Sequence, residues 1–200
     1  MIKHVIFDLG DVLLNIHSDR AMEAFAKKCN LEVEEVSKFF LSDLHLDFMA
    51  GKYTPEELYE KTKLIYKINL NIRDFFDTWN LVIGKPKDGI IQIIEQLSSN
   101  FELSICSNTD PIHWKYCLEQ YSFLKKFKKY FLSYELKHNK PDPEVFEHIL
   151  KELNAKGEAC LFIDDSYPNI ETAAGFGINT IHGEEPAKIR EELIKMNLLQ

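Results

Sequence analysis

The chain's 200 residues, 45% hydrophobic and 28% charged, suit one soluble globular unit or one such unit carrying an insertion. Against 24 basic residues stand 32 acidic ones, and the formal charge of −8 argues against nonspecific binding to nucleic acid or to an anionic membrane surface. MIKHVIFDLG at the start lacks a signal-like apolar run, no segment approaches the roughly 18 apolar residues of a membrane span, and Cys29, Cys106, Cys117 and Cys160 form no CxxC pair. A cytoplasmic protein without a zinc site or a disulfide framework is expected.

In chain order, the first strand is read at HVIFDL (4–9). From about Ser18 to Leu81 only helical periodicity follows, as in DRAMEAFAKKCN (19–30) and TPEELYEKTKLIYK (54–67). Within it Thr54 is placed to cap a helix that starts at Pro55, with Glu56 and Glu57 in the first turn. IGKPKDG (83–89) reads as the linker returning from this segment. A helix is expected over 88–99, a strand over ELSICS (102–107), a helix over 112–122 and a strand over KYFLSYEL (129–136). After these come a helix over 143–153, a strand over ACLFIDD (159–165), a helix over 169–177, a strand over 179–183 and a helix over 186–199.

Continuous apolar strands alternating with amphipathic helices indicate a parallel sheet covered on both faces. The expected fold is therefore α/β, a Rossmann-like doubly wound core made by residues 1–16 and 84–200, with an all-helical unit inserted at 17–83. In such sheets ligands bind beyond the carboxyl ends of the strands. Those ends carry Asp8, then Ser107, Asn108 and Thr109, then Lys140, then Asp164 and Asp165. Alone, Asp8 reads first as a turn-capping residue, while Ser107, Asn108 and Thr109 also fit as helix-cap and loop residues, and Lys140 as a surface lysine before Pro141. Together they converge on one rim.

Several carboxylates side by side cannot all ionise without a cation, and a hard divalent ion with oxygen ligands, Mg²⁺, relieves the repulsion. A placed carboxylate can attack phosphorus and form an aspartyl-phosphate, while a lysine and a hydroxyl hold the transferring oxygens. These residue types fit phosphoryl transfer.

The stretches IFDLG (6–10), ICSNT (105–109), KPDPEVF (140–146) and FIDDSYPNIETA (162–173) stand in the order of the four motifs of the haloacid dehalogenase superfamily, which the chain resembles along its whole length. The resemblance implies a Mg²⁺ site under a helical cap of the C1 type at 17–83, and hydrolysis of a small phosphate ester. It assigns Asp8 as nucleophile and metal ligand, and Ser107 with the amide of Asn108 as phosphate contacts. Lys140 would steady the nucleophile and the phosphate. Asp165 would be an acidic metal ligand, Asp164 a second ligand or a partner through water, and Gly10 a ligand through its backbone carbonyl. The FDLGxV start and FMAGKYTPEEL (48–58) look most like bacterial sugar-phosphate phosphatases of the glucose-1-phosphate phosphatase type. Most phosphatases of the superfamily carry a second aspartate, an acid/base, two residues after the nucleophile. Gly10 stands at that position, which favours a good leaving group such as the anomeric oxygen of a sugar 1-phosphate. Asp11 is adjacent, but its carboxylate is expected to point elsewhere. A metal-independent dehalogenase and a catalytically degenerate binding protein are the alternatives; the first leaves Asp164 and Asp165 without a purpose, and intact Asp8, Lys140 and Asp165 speak against the second.

Elsewhere ordinary structural roles are expected. LKKFKKYF (124–131) reads as a solvated helix edge leading into a strand, and Trp79 and Trp114 as packing residues. His17, Arg20, His45, Asp47 and Lys52 lie on the inserted unit or at its hinge, where substrate contact and a plain surface role are equally open.

Overall fold

A computed structural model describes all 200 residues, Met1–Gln200. The chain forms β1 (His4–Phe7) and β2 (Leu14–Ile16), then five helices: α1 (Ser18–Cys29), α2 (Val33–Phe40), α3 (Asp43–Met49), α4 (Pro55–Tyr66) and α5 (Ile72–Trp79). It returns through β3 (Ile83–Pro86) to α6 (Ile90–Leu97), β4 (Glu102–Ser107), α7 (Pro111–Gln120), β5 (Lys129–Leu132) and α8 (Ser133–Leu136). The remainder is α9 (Pro143–Leu153), β6 (Cys160–Asp164), α10 (Tyr167–Gly175), β7 (Asn179–His182) and α11 (Pro186–Lys195).

Five strands make one all-parallel sheet in the order β5-β4-β1-β6-β7. Their two-residue alternation divides the core. Val5, Phe7, Ile105 and Ile163 face a layer built by α6, α7 and α11, whereas Ile6, Cys106 and Phe162 face Val145, Phe146 and Ala173 of α9 and α10. Both faces being covered, the inner strands β1 and β6 carry the unbroken apolar runs VIF (5–7) and CLFI (160–163). Phe7 of the central strand pairs in register with Ile105 on one side and Ile163 on the other. That register brings the residues just past β1, β4 and β6 to one edge, where the sheet grows away from β1 in both directions.

The helices α1–α5 enclose an aromatic cluster of their own, with Phe25, Phe39, Phe48, Phe75 and Trp79 fully buried, and Ile112 from α7 joins it. The expected cap of α4 is present: Thr54 Oγ accepts from Glu57 N at 3.2 Å while Glu57 Oε2 accepts from Thr54 N at 2.8 Å.

Two expectations need correcting. The stretch 129–136 is not one strand. It ends at Leu132, and Ser133–Leu136 turns into a short helix closed by Lys137 in the left-handed region (φ 67°). The Ser133 side chain, bonded across to residues 49 and 109, holds the chain in that turn. The stretch 83–89 is not a bare linker either, because Ile83–Pro86 pairs antiparallel with β2 and makes the two crossings between sheet and helices a single ribbon. No helix of the protein is long and apolar enough to cross a membrane.

Candidate active site

Asp8 leaves the end of β1 with its N–H bonded to Ile163 O at 2.8 Å, and little of it is exposed. Its partner is the equally buried Lys140. Lys140 Nζ lies 2.9 Å from Asp8 Oδ1 and 2.6 Å from Asp164 Oδ2, and donates to Cys106 O at 2.9 Å. The Asn108 side chain fixes the lysine's backbone, donating to Lys140 O at 2.8 Å and accepting from Lys140 N at 2.7 Å. In this way β4 and the loop before α9, thirty-two residues apart, are locked together. Asp164 has no exposure; besides Lys140 it accepts from Ser166 N at 2.8 Å and from Asn169 Nδ2 at 2.9 Å. Asp165 is steadied through its carbonyl, to which His182 Nε2 donates at 2.7 Å, and the His182 ring stacks on Tyr167 at 3.8 Å.

Ligating oxygens of Asp8, Asp164 and Asp165 lie within 4.8 Å of one another. Against one ammonium, the three carboxylates leave two surplus negative charges. The Asp8 carboxyl is pushed up to about 7, because burial and the neighbouring Asp164 raise it by more than Lys140 pulls it down. Asp165 is raised too, by burial and by Asp164. Lys140 is raised despite burial, because Asp8, Cys106 and Asp164 favour its charge. A divalent cation suits this set: it balances the surplus and favours the ionised form of both raised carboxyls.

The rim opens into a cavity of about 290 Å³. Asp8, Gly10, Ser107, Asn108 and Lys140 form its floor, and Ile16, Phe40, His45, Met49 and Val82 the facing wall. The predicted residues are thus gathered as the strand ends implied. Asp11 does not line the cavity, and its Oδ1 accepts from Ile16 N at 3.2 Å. Of the five further residues considered on the helical unit or its hinge, His45 reaches the cavity; His17, Arg20, Asp47 and Lys52 do not line it, and Lys52 pairs with Asp47 at 2.7 Å.

Sequence reasoning missed the group under the wall. Asp110, fully buried, caps α7 by accepting from Ile112 N at 2.8 Å and His113 N at 3.0 Å through Oδ1. Its Oδ2 accepts from Trp79 Nε1 at 3.0 Å and lies 2.7 Å from His113 Nδ1. His113 Nε2 sits 3.0 Å from Trp79 O, a group that can only accept, so both ring nitrogens carry hydrogen and the ring is an imidazolium. Burial opposes that charge, but Asp110 outweighs it and His113 stays above its ordinary range, while Asp110, also against burial, falls below its own. Trp79 is therefore more than packing: it ties α5 to α7. The usable signal was Asp110 followed by Pro111, a helix-start pair.

A second tie joins the end of α3 to α8. Ser133 Oγ accepts from Thr109 N at 3.0 Å and has two carbonyls in reach, Met49 O at 2.7 Å and Thr109 O at 3.0 Å. Lys137 Nζ donates to Gly51 O at 2.8 Å and Asn139 Nδ2 to Leu46 O at 3.3 Å.

This sheet, with a buried Asp–Lys–Asp relay at its carboxyl edge and an all-helical insertion after the first strand, is that of the haloacid dehalogenase-like hydrolases; the family's model matches residues 2–177, and the chain belongs to that family. Among known proteins it is similar to a D-ribitol-5-phosphate phosphatase of Bacteroides thetaiotaomicron, 27% identical across 96% of this chain and 97% of the relative. It is also similar to a phosphorylated carbohydrates phosphatase of Thermotoga maritima, 25% identical over 90% of this chain and 83% of that one. A solved HAD family enzyme of Bacteroides thetaiotaomicron, in complex with magnesium and inorganic phosphate, superposes with a TM-score of 0.82 at 28% identity, covering 90% of this chain and 93% of that one.

Proposed function

We propose that this protein is a Mg²⁺-dependent phosphomonoesterase acting on a small sugar or polyol phosphate through an aspartyl-phosphate on Asp8. The observation that carries the reading is Lys140 Nζ bridging Asp8 and Asp164 at the cavity floor, with Asp165 beside them. Asp8, Asp165 and the Gly10 carbonyl would hold the metal, and Asp164, with three donors already on its oxygens, takes the outer place through water. When bound, Mg²⁺ supplies positive charge to the carboxylates and to the phosphoryl oxygens.

Asp8 attacks phosphorus, the ester oxygen leaves toward the helical wall, and water then cleaves the acyl phosphate. Lys140 keeps Asp8 aligned and draws the phosphoryl charge in, and the Ser107 hydroxyl and the Asn108 amide bind the equatorial oxygens. In this reading residues 17–83 act as a lid on the core of 1–16 and 84–200, and the protein works in the cytoplasm without nucleic acid or membrane partners. The polyol and carbohydrate phosphatases among its relatives support the substrate class.

Phosphate release from a panel of sugar and polyol phosphates, with Mg²⁺ or EDTA, tests it for wild type and Asp8→Asn. Release that needs Mg²⁺ and disappears in Asp8→Asn is expected. Turnover that survives either EDTA or the substitution would sink the proposal.

A further inference from the structure

The displacement on phosphorus is in line, so the departing oxygen lies on the side away from Asp8, against the wall formed by the helical unit. Gly10 offers no side chain to protonate it. Of the titratable groups lining the cavity, Asp8 is the attacking group, Lys140 is held by three acceptors, and both nitrogens of His113 are taken. His45 of α3 remains. Its Nδ1 is 2.9 Å from Phe40 O, a carbonyl that can only accept, so Nδ1 carries the hydrogen and Nε2, which has no partner in the protein, is the atom left to a ligand. The ring is clamped edge-on to Trp79 at 5.0 Å and 82°, and edge-on to Phe40 at 5.9 Å and 74°.

We propose that His45 is the acid/base of this enzyme: from Nε2 it gives a proton to the departing oxygen and later takes one from the hydrolytic water. The inference rests on the phosphatase reading above. In the first step Asp8 Oδ bonds to phosphorus, the P–O bond to the alcohol breaks, and the His45 imidazolium loses its Nε2 proton to that oxygen. In the second, water bonds to phosphorus and releases its proton to the neutral Nε2, and the bond to Asp8 breaks. His45 ends as it began, and no further reactant is needed. Before substrate enters, burial holds the ring below its ordinary pKa; the Phe40 carbonyl and Asp110 oppose this, and the His113 cation adds to it. Asp110 and His113 on α7 are the charged groups that act on the ring; α2 and α5 present Phe39, Phe40 and Trp79 to it. An entering phosphoryl group adds negative charge and favours the imidazolium.

The test compares His45→Gln with wild type on an alkyl phosphate (ribitol 5-phosphate) and on 4-nitrophenyl phosphate, whose leaving group needs no proton. kcat/KM reads the first displacement. His45→Gln is expected to lose about 10²–10³-fold on the alkyl ester and no more than about 3-fold on the nitrophenyl ester, which also shows that the variant is folded. Wild-type kcat/KM on the alkyl ester should rise toward acid as His45 protonates, and His45→Gln should lose that limb. Equal losses on both esters would reduce His45 to a wall residue and overturn the proposal, as would no loss on either. Should wild type release phosphate from neither ester, the phosphatase reading fails first and this proposal falls with it.

Discussion

Replacing Asp110 by Asn keeps the shape of the α7 cap and removes one charge from a site with no exposure. Oδ1 can still accept from the N–H groups of Ile112 and His113. The other arm becomes an NH₂ that faces two donors, Trp79 Nε1–H and His113 Nδ1–H. A buried cation left without its partner costs about 3–5 kcal/mol. Part of that is recovered when His113 sheds its proton, but the Trp79 N–H stays unsatisfied at about 1–3 kcal/mol. A net loss of about 3–4 kcal/mol corresponds to a fall in melting temperature of roughly 6–16 °C for a chain of this size. The loss depends on pH in a defined direction. His113 is raised above 6.5 in the folded state, so its stabilisation is complete below about pH 6.5 and fades as pH climbs through the raised value. Asp110 is lowered below 3.8, so its stabilisation holds above that value and fades as pH falls through the lowered one. The gap between wild type and Asp110→Asn should therefore be widest between roughly pH 4 and 6.5 and narrow in alkali. Urea titrations at several pH values measure it. A loss below about 1 kcal/mol at pH 6, or a gap unchanged up to pH 9, would refute the assignment of an ion pair.

Lys140→Met leaves Asp8 and Asp164 facing each other without a cation; about 3–5 kcal/mol of stability should go in EDTA and part of it return with Mg²⁺, as read by thermal melts. The same variant should release phosphate at least about 10²-fold more slowly. Gly51→Ala strikes the seam between α3 and α8, because Gly51 has φ +66° and a Cβ there would lie 2.0 Å from Tyr134 O. It should hold the helical wall off the core, lowering kcat/KM about tenfold or more while Mg²⁺ affinity measured by calorimetry stays within about 2-fold.

The parallel sheet was readable because both its faces are covered, which makes VIF (5–7) and ACLFI (159–163) apolar throughout and bounds them with polar residues. The rim followed from it, since residues at strand ends meet by register alone: Phe7 beside Ile105 and Ile163 puts Asp8, Ser107 and Asp164 together. What stayed hidden depends on pairings distant in the chain. LNI (14–16) has no strand pattern of its own and becomes β2 only by pairing with 83–86. The reach of Trp79 to Asp110 spans 31 residues and that of Ser133 to Met49 spans 84, and neither spacing leaves a local mark. The polar triplet 107–109 did stand out, yet nothing local shows that the Asn108 side chain is committed to Lys140.

Ser133 has one hydroxyl hydrogen and two carbonyls within reach, Met49 O on the helical unit and Thr109 O beside the cavity floor. With the seam closed, the shorter contact to Met49 takes the hydrogen. If the helical unit lifts, the hydroxyl need only rotate to find Thr109 O, and Thr109 N keeps its acceptor throughout. Opening at this point would exchange one hydrogen bond for another instead of breaking one, so in the proposed enzyme Ser133 would act as a selector that lets product leave without disturbing the loop proposed to bind the next phosphate.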